Sequence, residues 1–203
     1  MKSIKKILFK IQDFENFFSE KYVYWKYAKA WELNRRHGIT LNPLSPFSAF
    51  ILKCLVRRQR AKTILEIGTS GGYSAITMAY ATRQHAHIYT IEKSAPKAEI
   101  ARIHFAESEL KNVTLIEDDA MEVIKKWDKK IDVLFLDADK KNYTKFLQAL
   151  EKHLSPDALV IADNVKSHPH EVTEFIHYMK NSSDYKTYII PFSKGLLVAK
   201  RNK

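Results

Sequence analysis

The sequence predicts an α/β fold: a seven-stranded, mostly parallel sheet with an antiparallel last strand, helices on both faces, and extra helices at the N-terminus. Three observations predict it. From Lys62 onward, short β-branched runs alternate with helix-length segments, the pattern of successive βαβ units. Gly68, Gly71 and Gly72, three of the chain's five glycines, follow directly on the first of those runs. Only "PFSK" separates the last two runs, which is too short for a crossover helix and makes them an antiparallel hairpin. With 203 residues, 45% of them hydrophobic and 28% charged, the chain has the size of one domain with a sizeable core.

Taken in order, Ile4, Ile7, Leu8, Ile11, Phe14, Phe18, Tyr22 and Trp25 recur at spacings of three and four, so the first 35 residues read as one or two amphipathic helices. Gly38 and "NPLSP" break the pattern, and Phe47 to Arg60 reads as a further helix. The predicted strands are 63–67, 87–91, 113–116, 132–136, 158–162, 185–190 and 195–200. The helices between them are 72–82, 95–110, 120–127, 141–154 and 169–181. Residues 1–60 form a lid, dimer or substrate segment of the same domain, and residues 61–203 form its core. No repeat, linker or low-complexity tract interrupts this order.

The net charge of +11 is concentrated at one end. Residues 1–60 hold 13 Lys+Arg against 4 Asp+Glu, a net +9, which leaves +2 for the rest of the chain. This basic third contains the aromatic run "FENFFSEKYVYWKYAKAW". Basic patches interleaved with aromatics suit anionic partners such as RNA, and an amphipathic helix with a solvated lysine face gives the same composition. An amphipathic aromatic arm also predicts a homodimer. The longest apolar runs are strand-length, well short of the roughly 20 residues that span a bilayer, so no membrane partner is expected. Lys10 and Asp13 interrupt the N-terminal apolar residues before a signal-peptide core forms. One cysteine, Cys54, excludes an intrachain disulfide and a cysteine-based zinc site, which fits a reducing, cytoplasmic location.

In an open parallel sheet, ligands bind outside the carboxyl ends of the strands, where the strand order reverses. "GTSGG" follows the first strand at that point. Ser70 and Tyr73 occupy the third and sixth positions of a G-x-G-x-x-G fingerprint, which weakens a dinucleotide reading, and no G-x-x-x-x-G-K-[ST] phosphate loop is present. The remaining reading is a glycine turn, preceded by Glu66, whose backbone meets a zwitterionic amino-acid end. Glu92 closes the second strand, 24 residues after Gly68, where a carboxylate accepts hydrogen bonds from both ribose hydroxyls. Asp119, after the third strand, stands where an adenine amino group would be met. Amino-acid end, ribose and adenine at successive strand ends describe S-adenosylmethionine.

The fourth strand ends "FLDADKKNY" and the fifth "IADNV", so Asp137, Asp139, Asp163 and Asn164 converge on the same crevice. Carboxylates at adjacent strand ends repel unless a cation or protons neutralise them. The oxygen donors of Asp137, Asp163 and Asn164 suit a hard divalent ion such as magnesium. Asp139 reads equally well as a helix cap. His168 and His170, flanking Pro169 in a loop, read as solvent-facing.

"ILEIGTSGGYSA", "IYTIEKS", "FLDADKKNY", "IADNV" and "IPFSKGLLVAKR" resemble the cation-dependent class I (Rossmann-like) O-methyltransferases, the family of catechol and caffeoyl-CoA O-methyltransferases. The resemblance runs from about Ala61 to the C-terminus. It implies that Asp137, Asp163 and Asn164 are metal ligands and that Lys140 lies near the reacting hydroxyl. Gly68, Tyr73 and Ser74 match the cofactor loop, Glu92 the ribose-binding acid, and Asp119 and Ala120 the adenine-facing loop. Asp137 then serves three roles, catalytic with Lys140, cofactor-facing and metal-binding. The implied reaction is methyl transfer to a hydroxyl of a catechol-like small molecule. A 5-hydroxyuridine in tRNA is the alternative acceptor, because its neighbouring oxygens chelate in the same way. Two segments depart from the family: "SPFSAF" (Ser45 to Phe50) lacks its acidic residue and Gly-Gln, and "VKSHPHEV" replaces the aromatic and glycine that often follow "DN". Both would wall the acceptor pocket.

Overall fold

The computed structural model describes residues 39–202 apart from Asn42 and Gln84. The helices expected in the first 35 residues, and the dimer contact assigned to them, lie outside the described residues.

α1 (Pro46–Gln59) starts where Ser45 accepts the Ser48 N–H at 3.1 Å and Pro46 supplies a preset φ at the first helical position. The elements then alternate: β1 (Thr63–Ile67), α2 (Tyr73–Ala81), β2 (His87–Glu92), α3 (Ala95–Glu107), β3 (Val113–Glu117), α4 (Ala120–Lys125) and β4 (Ile131–Leu136). After β4 come α5 (Tyr143–Leu150), β5 (Leu154–Ala162), α6 (Pro169–Asn181), β6 (Tyr185–Ile190) and β7 (Leu196–Arg201). The seven strands lie in the order β3-β2-β1-β4-β5-β7-β6. All pairings are parallel except those of β7, which runs antiparallel to both β5 and β6. The predicted class and the reversed last strand are therefore present.

Strand alternation divides the core into two layers. Ile64, Ile88, Val133, Phe135 and Ile161 face α1, α2 and α3, and Leu65, Ile91, Leu134, Leu136 and Val160 face α4, α5 and α6. α1 thus shares a hydrophobic layer with α2 and α3.

The predicted helix 141–154 and strand 158–162 are corrected by the structure. Short 3₁₀ turns at Lys140–Asn142 and Glu151–His153 flank an α5 that ends at Leu150, and β5 begins at Leu154. Ile131 pairs with Leu154 while Val133 pairs with Leu159, so Ser155, Pro156 and Asp157 are accommodated as an irregularity in the ladder. Asp132 binds that irregularity together: one carboxylate oxygen accepts the Ser155 hydroxyl at 2.7 Å, and the other accepts the N–H groups of Lys62 and Thr63.

β1 and β4 are neighbours whose connections depart in opposite directions, β1 toward β2 and β3, β4 toward β5. This is the switch point of the sheet, and the crevice outside it is where ligands bind in such folds.

Candidate active site

A cavity of about 560 Å³ opens at the carboxyl ends of β1, β2 and β4, within the size range of small-molecule sites. Its lining includes Gly68, Glu92, Asp119, Ala120, Asp137, Lys140 and Asn164. Tyr73 and Ser74, in the first turn of α2, line a smaller adjoining pocket that shares Gly68, Ser70 and Asp137 with it and is roofed by Leu41 and Leu44.

At the β1–β2 end, the glycine turn is held by backbone. The N–H groups of Gly68 and Thr69 both donate to the Ile91 carbonyl, at 3.0 and 3.2 Å. Glu92 accepts the Ser70 N–H on one carboxylate oxygen at 2.8 Å and the Ser94 N–H on the other at 2.9 Å. The carboxylate is thereby fixed in orientation while still facing the cavity. Asp119 caps α4 by accepting the Met121 N–H at 2.8 Å, and its own N–H donates to the Asp118 side chain.

Glu66 lies elsewhere. It shares the sheet face of Ile64, is paired across the ladder with Thr90, and is fully buried in the layer beneath α2. Thr90 donates its hydroxyl to one Glu66 oxygen, and the Thr69 and Thr90 hydroxyls meet in turn. The other Glu66 oxygen is buried with no hydrogen-bond partner. Burial pushes this carboxyl up to about 8, against the lowering effect of Ser74 and Thr90. Glu66 thus supports the glycine turn from below, through Thr90 and Thr69.

At the β4–β5 end, Asp137 accepts hydrogen bonds on a single oxygen from the Asn164 side chain at 2.9 Å and from the Lys140 ammonium at 3.3 Å. Burial and then the charge of Asp163 push the Asp137 carboxyl up to about 7, while Lys140 and Asn164 pull it down. Asp163 is 3% exposed and is also raised, chiefly by burial. The Asn164 Oδ1 atom is buried without a hydrogen-bond partner, in a residue held at φ 64°. Two mutually repelling carboxyls beside an unpartnered amide oxygen form an all-oxygen donor set that fits a hard divalent cation. Among the described residues there is no cluster of three His, Cys, Asp or Glu side chains placed to hold a metal; this set has two carboxylates and an amide. Asp139, by contrast, caps the 3₁₀ turn, accepting from the Lys141 N–H and the Asn142 side chain.

Sequence reasoning missed several neighbours. The Ser48 hydroxyl lies 3.5 Å from an Asp163 carboxylate oxygen, so "SPFSAF" reaches the acidic pair through a serine. The Tyr143 hydroxyl donates to the Asp163 carbonyl at 3.4 Å. His168 and Lys194 line the larger cavity. The Ser45-to-Ser48 capping pattern signals a helix start but not its distance from β5, and Lys194 reads locally only as a turn residue. The basic cluster Arg57, Arg58 and Arg60 ends α1 just before β1 begins, at the amino edge of the sheet opposite the cavity.

A doubly wound sheet of this order, with a reversed β7, a glycine turn after β1 and a carboxylate closing β2, defines the class I S-adenosylmethionine-dependent methyltransferase fold. The chain belongs to the O-methyltransferase family, whose profile matches residues 32–197. It is 31% identical over 133 residues to a catechol O-methyltransferase of Niastella koreensis, covering 63% of this chain and 60% of that protein. A catechol O-methyltransferase of Mycobacterium tuberculosis is 29% identical over 108 residues, covering 52% and 49%. The chain thus spans about half to three fifths of the length of these relatives. Among solved structures, the O-methyltransferase TomG of Streptomyces achromogenes, in complex with S-adenosylmethionine, superposes with a TM-score of 0.79 at 26% identity, covering 87% of this chain and 89% of that one. A Bacillus cereus O-methyltransferase shares the fold with a TM-score of 0.78 at 22% identity, covering 86% and 89%. Among the described residues, no helix is long and apolar enough to cross a membrane.

Proposed function

We propose that the protein transfers a methyl group from S-adenosylmethionine to one hydroxyl of a small aromatic molecule with two neighbouring hydroxyls, in a reaction that depends on a divalent cation such as magnesium. The observation that carries this reading is the pairing of half-buried Asp137 with buried Asp163, with the unpartnered Asn164 oxygen, set beside Lys140 at the switch-point cavity. S-adenosylmethionine would supply the electrophilic methyl group. A cation held by Asp137, Asp163 and Asn164 would supply Lewis acidity toward two adjacent acceptor oxygens.

The chain's own residues divide the remaining work. Glu92, fixed by two backbone N–H groups, presents its carboxylate to ribose hydroxyls, and Asp119 and Ala120 border the adenine side. The Gly68 turn, with Tyr73 and Ser74, borders the amino-acid end. The Lys140 ammonium reaches Asp137 and lies 6.0 Å over the Tyr143 ring. From there the ammonium can stabilise the oxyanion of the acceptor, and the neutral amine form can take up the hydroxyl proton. Holding acceptor oxygen and methyl donor in line at this short reach supplies much of the acceleration.

The test is transfer of labelled methyl from S-adenosylmethionine to a catechol and, in parallel, to hydroxyuridine-containing tRNA, with magnesium and with chelator. Metal-dependent label on the catechol is the expected result. Label on the catechol that persists in chelator would remove the metal, and label on tRNA alone would replace the acceptor.

A further inference from the structure

The turn between β6 and β7 is fastened to the segment that follows the acidic pair. The Lys194 carbonyl accepts the N–H groups of Lys166 and Ser167, at 2.9 and 3.3 Å, and the Gly195 carbonyl accepts the Val165 N–H at 3.1 Å. Ser193 and Gly195 both adopt positive φ, 55° and 82°. A Cβ at Gly195 would stand 2.5 Å from the Lys166 side chain, so the turn is packed to its limit. These contacts hold Lys194 at the wall of the cavity that also contains Asp137, Lys140 and Asn164.

The Lys194 ammonium, however, makes no close ion pair among the described residues, and its charge acts on the Asp163 carboxyl only at longer range. The other acids at this end are engaged elsewhere. Asp137 is bonded to Lys140 and Asn164, and Asp139 caps its own turn. Even where the Asp137 and Asp163 carboxylates offset a divalent cation, two lysines remain. Lys140 faces the oxyanion that forms on the acceptor, which leaves Lys194 for a second negative charge. His168, on the same wall, engages Ser167 through Nδ1 at 2.9 Å, which leaves Nε2 for a ligand. In the Lys194 turn, Phe192 is 59% exposed and meets Phe47 with ring centroids 5.3 Å apart. Phe47 immediately precedes Ser48, which reaches Asp163. An aromatic surface and an exposed ammonium with no close ion pair therefore stand together beside the acidic pair.

We propose that the acceptor carries a carboxylate on its aromatic ring, and that Lys194, assisted by His168, recognises it. This rests on the O-methylation reading above and specifies its substrate class. The selectivity is electrostatic: a carboxylate is favoured over a neutral group of the same shape, and an ammonium in that place is disfavoured.

The experiment compares 3,4-dihydroxybenzoate, 3,4-dihydroxybenzamide and 3,4-dihydroxybenzylamine as acceptors. The wild-type kcat/KM should favour the benzoate over the benzamide by roughly two- to fivefold, as for an exposed charge pair, with the benzylamine lowest. Lys194→Gln should abolish that preference by raising KM for the benzoate, and Lys194→Glu should favour the benzylamine. Lys180→Gln, which removes the same charge from an exposed side chain on α6 outside the cavity, should preserve the preference. Comparing each acceptor between wild type and variant cancels intrinsic differences in hydroxyl reactivity. Equal kcat/KM for all three acceptors, or a preference that survives Lys194→Gln, overturns the inference and leaves O-methylation standing. If none is methylated, calorimetry decides separately: tighter binding of the benzoate that depends on Lys194 retains the anion site and removes the reaction, and equal binding of benzoate and benzamide removes both.

Discussion

Gly68 lies against the backbone of Asp137 so closely that a Cβ at Gly68 would stand 2.3 Å from the Asp137 carbonyl oxygen. Its φ of 103° is one that residues with a side chain rarely adopt. The first glycine of the turn is therefore required by the joint between β1 and β4, which brings the glycine turn and the acidic end of β4 into one crevice. Gly68→Ala should destabilise the fold by about 3 kcal/mol or more, combining backbone strain with a clash that no side chain can relieve. Gly71→Ala is the contrast, because its Cβ meets the flexible end of the Leu41 side chain at 3.2 Å and the His104 ring at an ordinary 3.7 Å, and it should cost about 1 kcal/mol or less. Urea unfolding of both variants checks the pair; equal losses would remove the joint as the reason for Gly68.

The sheet was legible because each strand is a short β-branched run and because "PFSK" is too short for anything but a hairpin. β5 was legible only from Ala158, since Ser155-Pro156-Asp157 has the composition of a turn, and what admits it to a strand is the distant Asp132. The acids at the strand ends were legible as a converging set, because parallel strands bring their carboxyl ends together. Their partners were not. Ser48 meets Asp163 across 115 positions of sequence, and Lys194 is placed by backbone bonds to Lys166 and Ser167 that no local pattern encodes. Glu66 precedes the glycine turn in sequence, yet strand alternation turns its side chain into the α1–α3 layer.

That buried Glu66 gives a pH dependence whose sign is fixed. Its carboxyl is raised from 4.5 to about 8 in the folded protein, so between those values the folded state keeps a proton that the unfolded state releases. Glu66 therefore costs stability increasingly as pH rises from about 4.5 to about 8, with a limiting slope of about 1.4 kcal/mol per pH unit. Glu66→Gln keeps an acceptor for Thr90 and has no titration. The stability of the variant relative to wild type should rise across that window and level off above it. Thermal unfolding at a series of pH values checks this, and a difference independent of pH would place the Glu66 carboxyl in its ordinary range.

Arg57, Arg58 and Arg60 lie at the far end of α1 from Ser48. Arg57 lies nine positions along the helix from Ser48, about 14 Å of axial rise, against a Debye length of about 8 Å at physiological ionic strength. Reversing all three to glutamate should change kcat/KM for a catechol acceptor by no more than about twofold. Steady-state kinetics at low and physiological salt make the measurement. A large, salt-relieved loss would show that this edge takes part in acceptor binding and would return an extended polyanion such as tRNA to consideration.

The acidic pair predicts opposite effects on stability and activity. Asp137 and Asp163 are both raised above the usual carboxylate range, mainly by burial, and the charge on Asp163 adds to the cost of ionising Asp137. Asp163→Asn removes one of two repelling charges and retains an oxygen for the Ser48 hydroxyl. In chelator the variant should match or exceed wild type in melting temperature, because the repulsion is gone. Methyl transfer should fall at least about a hundredfold, because a carboxylate of the proposed cation-binding set is lost. Binding of S-adenosylhomocysteine, measured by calorimetry, should be nearly unchanged, since Glu92, Asp119 and the Gly68 turn do not depend on Asp163. A folded variant that loses both binding and transfer would assign Asp163 to the cofactor side of the crevice. One that keeps wild-type transfer would show that the repelling pair serves no cation, and that Lys140 handles the acceptor oxygen without it.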